Sequence, residues 1–280
     1  MAPGRSIVVN GDLGSGKSTV STLLAQRLGV RRISVGDLYR QMARQRGVTA
    51  LELNLHAELD DKIDHYVDRL QSDIAMSGER LVVDSRLAWF FFRDALKVNL
   101  ITDPMVAAHR VMGRPDSSVE SYASAAEACE RLAERSESER VRFIERYGAD
   151  KTRLRNYDLV CDSTRATPED IITRVVDALS APPDGPRLFI DPLRIHPTSD
   201  RGIGAGPVRL GYARPHFFVI EGHRAVAAAA HDGCPLVQAA LAAEADEPID
   251  GRSAEAYFAA QHQQRRRPRP EANRHPGQID

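Results

Sequence analysis

Gly11-Asp12-Leu13-Gly14-Ser15-Gly16-Lys17-Ser18 decides how this chain folds. The stretch follows a β-branched run at 5–10, RSIVVN. It leads into KSTVSTLLAQRL, whose Val20, Leu23, Leu24 and Leu28 fall on one helical face. The pattern is G-x-x-x-x-G-K-[ST], a phosphate-binding loop between a strand and a helix. Glycines let backbone N–H groups turn inward around an anion, and the helix aims its positive end at the same place. Lys17 is placed to reach the terminal phosphates, and the Ser18 hydroxyl to ligate a divalent metal. Gly11, Asp12, Leu13, Gly14, Ser15, Gly16, Lys17, Ser18 and Thr19 form the expected nucleotide-binding set. Asp12 is an odd neighbour for a polyphosphate and is expected to point away from it, or toward metal or water.

Outward from this loop, short apolar runs alternate with helical stretches. Strands are expected at 30–35, 81–83 ending on Asp84, 96–101 and 157–161. Helical periodicity covers 37–76, broken at Gly47 and restarted by Thr49 with Glu52 three residues on. Further helices are expected at about 121–147 and 167–179, and Asp103-Pro104 suits a helix start. Continuous apolar strands joined by helices require a parallel sheet covered on both faces. Residues 1–180 are therefore expected to form a five-stranded α/β domain. APPDGP at 181–186 reads as a linker, 187–260 as a smaller α/β unit and 261–280 as a disordered tail.

Composition narrows the function. The chain of 280 residues is 42% hydrophobic and 28% charged, and 38 basic against 39 acidic residues leave a net charge of −1. That balance argues against a protein that coats nucleic acid or a membrane surface. No run approaches 18 apolar residues. Cys129, Cys161 and Cys234 show no pairing motif, which fits a reducing compartment and a cytoplasmic protein.

The motifs beyond the loop indicate which phosphate chemistry is served. Asp84 closes the third strand. Arg86 follows it, and Arg110, Arg114, Arg131, Arg135, Arg140 and Arg142 come later. Phosphoryl transfer between two phosphates gathers negative charge, and the planar guanidinium fork holds two phosphate oxygens at once. No NKxD guanine tetrad is present, so a small kinase fits best.

GDLGSGKSTVSTLLAQRLG, ISVGDLYRQMARQRGVTALELNLHAELD, DSRLA, RSESERVRFIERYGAD and YDLVCDSTRATPEDII together resemble the cytidylate kinases of the short archaeal and bacterial type, over about residues 5–180. The resemblance implies a nucleoside monophosphate kinase fold with mobile acceptor-binding and lid segments. It also implies transfer of the ATP γ-phosphoryl group to CMP or dCMP with Mg²⁺. Carried over, Asp37 and Arg40 would hold the acceptor nucleotide, and Arg86 would clamp its phosphate. Arg135 and Arg142 would stabilise the transferring group, and Glu139 would orient an arginine or contact the acceptor. Ser18 and Asp84 would serve the metal. Family members often carry Glu-Gly-Arg where this chain has Asp84-Ser85-Arg86.

Each reading has a plainer rival. Arg135, Glu139 and Arg142 share one helical face and could form a solvated salt-bridge surface. Asp37 could cap its helix, and Trp89, Phe90, Phe91 and Phe92 read as packing. A kinase for AMP, UMP or an alcohol, and an ATP-binding regulatory switch contacting DNA or a partner, remain alternatives.

In the C-terminal unit, FFVIEGHRAVAAAAHDGCPLV resembles the strand–turn–helix core of the ParB/sulfiredoxin-like fold. Gly222, His223 and Arg224 at that turn suit a second nucleotide site, or an ordinary helix start. The basic cluster at 265–269 reads as a solvated tail, with salt-sensitive nucleic-acid contact as its alternative.

Overall fold

The computed structural model describes residues 5–45, 47, 61–113, 122–180, 185–198 and 206–266. Its first strand, β1 (Ile7–Gly11), is buried along its length. Ile7 and Val9 enter one core and Val8 the other, as strand alternation requires. Parallel to it run β2 (Arg31–Ser34), β3 (Leu81–Asp84), β4 (Leu96–Ile101) and β5 (Leu159–Asp162). Their spatial order is β2-β3-β1-β4-β5. With β3 on one side and β4 on the other, β1 delivers its loop to the middle of the sheet's C-terminal edge, where doubly wound folds take ligands.

The connecting helices are α1 (Lys17–Leu28), α2 (Val35–Gln45), α3 (Asp61–Met76), α4 (Ala88–Phe91), α5 (Pro104–Met112), α6 (Ala125–Tyr147) and α7 (Pro168–Ser180). The expected restart at Thr49 lies outside the described residues. Asp103 caps α5 by accepting from the Met105 and Val106 amides at 2.8 and 3.2 Å, with Pro104 in the first turn. Trp89 and Phe92 are buried in the core and Phe91 packs against it, whereas Phe90 is exposed. Among the described residues, no helix is long and apolar enough to cross a membrane.

Where the sequence suggests a second, smaller α/β unit, the strands of that unit continue the first sheet. β6 (Arg187–Ile190) pairs in parallel with β5. Beyond it the order is β10 (Val237–Glu244), β8 (Arg209–Ala213), β9 (His216–Glu221) and β7 (Ile195–His196). The physical reason is at β5, which would otherwise present unpaired backbone groups as an open edge. Alternation on β6 sends Leu188 and Ile190 into the core of Val8 and Val160, and Phe189 into that of Ile7 and Val9. A Cβ on Gly211 would stand 2.2 Å from the Phe218 ring, so glycine lets β8 and β9 pack closely.

A small hairpin, β11 (Pro248–Ile249) and β12 (Arg252–Ser253), precedes the last described helix. α8 (His223–His231) follows β9, and α9 (Ala254–Arg266) closes the described chain. The expected tail thus begins as helix. Ala254, Tyr257 and Phe258 pack on Ala213, Phe218 and Ala243, and an anchored helix propagates cheaply beyond its contacts.

Leu188 and Trp89, the chain's single tryptophan, belong to one core. Leu188→Ala is expected to cost about 2–5 kcal/mol and to shift the Trp89 fluorescence and far-UV circular dichroism transitions together in urea. An unmoved Trp89 transition would mean that the two parts of the sheet unfold independently.

Candidate active site

The loop after β1 has the backbone that its glycines anticipate. Gly11, Gly14 and Gly16 all have positive φ. A Cβ on Gly11 would sit 2.5 Å from the Leu100 carbonyl, and one on Gly14 2.6 Å from that of Ala107, so neither admits a side chain. Gly16, left-handed, opens α1. Ser15 donates from Oγ to the Asp12 carbonyl at 2.7 Å, closing the turn, and Lys17 donates to the same carbonyl at 3.5 Å. Ser18 and Thr19 are exposed on the first turn of α1, and Leu13 is half-buried. Arg110 braces the loop from behind, donating to the Gly14 carbonyl at 3.3 Å and the Ser163 carbonyl at 2.7 Å.

Asp84 ends β3 directly beside this loop, and one of its oxygens collects three donors. Ser18 Oγ lies at 3.0 Å, Ser21 Oγ at 3.5 Å and Arg32 Nη2 at 2.7 Å from Oδ2. Arg32 also reaches Ser21 Oγ at 2.8 Å and Asp37 at 3.3 Å. The sequence reading paired Ser18 with Asp84 but missed Arg32, because nothing in the RRIS stretch marks one arginine as inward-facing. Asp37 lies within the first turn of α2 rather than capping it, and its amide donates to Ser34 Oγ at 3.2 Å. Arg40 is carried by α2, and its side chain lies outside the described residues. Ser85 is buried and donates to Gln71 Oε1 at 3.0 Å.

Glu139 is the centre of the arrangement. It is 5% exposed, and Arg86 from the end of β3 and Arg135 from one turn earlier on α6 both donate to its Oε1, Arg135 at 3.4 Å. Lys151 Nζ, also on a 5%-exposed residue, takes the other oxygen at 3.2 Å and reaches Asp12 Oδ1 at 2.8 Å. Ser136 Oγ donates to Asp12 Oδ2 at 3.0 Å. Asp12 therefore turns toward α6, tying the phosphate loop to the helix that carries the arginines. Tyr157 Oη donates to the Lys151 carbonyl at 2.8 Å and accepts from Asn10 at 2.7 Å, fixing the lysine to β1. Burial pushes the Tyr157 phenol well above its ordinary pKa, so it stays protonated and able to donate.

Desolvation is the largest influence on both members of the Asp12–Lys151 pair. At Lys151 it prevails and lowers the pKa against the pull of Asp12. At Asp12 it is outweighed by Lys151, with help from Arg86 and Ser136, and the carboxyl sits below its usual range. Asp12 keeps 57% of its side-chain surface exposed, so this attraction is partly screened by water.

The arginines divide. Arg86 and Arg135 converge on Glu139. Arg142 stands two turns along α6 from Arg135, with Nη1 buried and without a hydrogen-bond partner. Arg140 instead grips Asp150 through two nitrogens at 2.8–3.1 Å, and Arg131 pairs with Glu134 in solvent. Arg114 lies outside the described residues. In the C-terminal part, Gly222 opens α8 with positive φ, His223 Nε2 stands 3.0 Å from Thr198 Oγ1, and Arg224 is exposed.

Glu139→Ala is expected to cost about 3–5 kcal/mol, because it strips the partner from buried or half-buried cations. Arg135→Ala, 35% exposed and at longer range, should cost less than about 1 kcal/mol. Equal losses in urea unfolding would remove Glu139 from the centre. For Asp12, the folded pKa lies below the unfolded one. Its contribution is complete above the unfolded value of about 3.9 and is lost as the pH falls through the folded value. Asp12→Asn should therefore flatten the dependence of stability on pH below about 4, measured by urea midpoints, and an unchanged slope would refute the pairing.

Comparison with known proteins places this geometry in a family. A family model described as an AAA domain matches residues 7–142. A cytidylate kinase from Natronomonas pharaonis is 40% identical over 177 residues, covering 62% of this chain and 89% of its own. A cytidylate kinase from Haloarcula marismortui is 37% identical over 182 residues, covering 64% and 92%. Among solved structures, a shikimate kinase from Bacteroides thetaiotaomicron covers 63% of this chain and 98% of its own, at 17% identity and a TM-score of 0.45. With such identity along nearly the whole length of the two archaeal relatives, the chain belongs to the cytidylate kinase family.

Proposed function

We propose that the protein transfers the γ-phosphoryl group of ATP to the phosphate of CMP or dCMP, yielding ADP and the nucleoside diphosphate. The observation that carries this reading is the meeting of Arg86 and Arg135, from separate segments, on Glu139 beside the phosphate loop. A donor polyphosphate and an acceptor phosphate repel each other, and cations drawn from different segments are what their approach demands. A protein that only senses ATP has no use for an acceptor clamp.

In this reading the loop amides and Lys17 hold the β- and γ-phosphates. Arg86 takes the acceptor phosphate, with Asp37 and Arg40 against the nucleotide. Arg135 and the unpartnered Nη1 of Arg142 face the transferring group. Ser18 Oγ and Asp84 Oδ2, 3.0 Å apart, are hard oxygen donors that suit Mg²⁺. Ser18 would bind the ion and Asp84 a water upon it, and the ion would neutralise phosphate charge. The acceptor is already an anion, so no general base is required. Positioning and charge neutralisation supply the catalysis.

The test is a coupled assay of ADP release with CMP, dCMP, UMP, AMP or no acceptor. CMP and dCMP should outpace UMP and AMP at least about tenfold, and Lys17→Ala should lower kcat by about 10²–10³. A preference for another acceptor would replace the cytidylate assignment. ATP consumption as fast without acceptor as with CMP would favour the regulatory switch.

A further inference from the structure

The two archaeal relatives are matched almost end to end by less than two thirds of this chain, so over a third lies outside the match. The structure shows where that remainder presses. The turn between β8 and β9 carries Arg214, whose Nη1 donates to Glu137 Oε2 at 2.8 Å. Glu137 lies on α6, between Arg135 and Glu139, and its other oxygen accepts from Arg140 at 2.9 Å. Arg140 is in turn fixed to Asp150, just past the end of the helix. Arg214 also weighs electrostatically on Lys151, which places it close to the cluster around Glu139.

A second grip acts beyond the helix end. α6 stops at Gly148, whose φ of 62° is left-handed. Three and four residues beyond Lys151, the amides of Leu154 and Arg155 donate to Glu244 at 2.7 and 3.1 Å. Glu244 lies on β10 and is 1% exposed. Arg153 pairs with Asp246 at 2.7 Å and Arg155 with Glu247 at 2.6 Å. The C-terminal strands thus hold both α6 and the segment that follows its end, and Gly148 to Lys151 is caught between them.

We propose that the C-terminal part of the chain positions α6 for catalysis, with Arg214 as the positioning residue acting through Glu137. This rests on the phosphotransfer reading above. Arg214 touches no reacting group; it fixes the register of the helix that presents Arg135, Glu139 and Arg142. The pair is half-exposed, at 38% and 45%, so its effect on overall stability is small. Its consequence lies in geometry, because catalysis by positioning is sensitive to displacements of an ångström.

The experiment uses the full-length protein and four variants: Arg214→Ala, Arg214→Lys, Glu137→Gln and the Arg214→Ala/Glu137→Gln double variant. Arg209→Ala is the control, since Arg209 pairs with Glu221 on the same two strands and away from α6. Arg214→Ala should lower kcat about fivefold with KM for ATP unchanged. Arg214→Lys should restore most of the rate, and the double variant should be no worse than either single one. Amide hydrogen exchange within α6 should quicken about fivefold in Arg214→Ala while that of α5 is unmoved. Unchanged kcat and unchanged α6 exchange in Arg214→Ala, additive losses in the double variant, or an equal loss in Arg209→Ala would each overturn the proposal. A wild-type protein inactive on every acceptor would defeat the phosphotransfer reading alone, and α6 exchange would then decide the positioning role without activity.

Discussion

A single buried carboxylate surrounded by three cations organises this molecule. Glu139 collects Arg86 from the sheet edge, Arg135 from its own helix and Lys151 from the turn beyond. Such a cluster is a poor source of net stability, since removing charges from water costs about what their attraction returns. What it supplies is placement. The end of β3, α6, the following turn and, through Asp12, the phosphate loop are held by one group of atoms. A shift in any of these segments must break a desolvated charge contact, so they share one register.

The legible parts of the chain are those in which local pattern and tertiary outcome agree. α1 spans Lys17–Leu28 and β4 spans Leu96–Ile101, as their periodicity and flanking turns require. The Ser18–Asp84 meeting was readable because both positions are fixed by strand ends converging on one loop. Lys151 and Ser136 were not. Their roles depend on contacts across 139 and 124 residues, and neither belongs to a spacing motif. One signal did exist: an aspartate inside an anion-binding loop demands a buried cation, and Lys151 is the last lysine in the sequence.

The C-terminal strands that the sequence marks, β9 among them, are not marked as part of the first sheet. Their alternation is equally compatible with a separate sandwich, because periodicity fixes which face is buried and not which neighbour buries it. β8 escaped notice since RLGYA carries a glycine where a strand usually carries bulk. That glycine is explained only by the Phe218 ring across the hairpin. The Pro/Gly-rich stretch at 181–186 reads as a linker. Its ends join a helix that covers the sheet to a strand that extends the same sheet.

The charge arrangement also bears on how the cations of the proposed site are kept together. Guanidinium groups gathered with no counter-charge would repel one another and splay into solvent, and each binding event would have to reassemble them. Here Glu139 and Asp12 neutralise the cluster from behind. Arg86, Arg135 and Lys151 are thereby kept together at a cost met during folding rather than during binding. Arg142 lies outside this compensation, with Nη1 unpartnered. Carboxylates thus hold Arg86, Arg135 and Lys151 in place, while Arg142, on the same helix as Arg135, keeps one buried nitrogen without a hydrogen-bond partner.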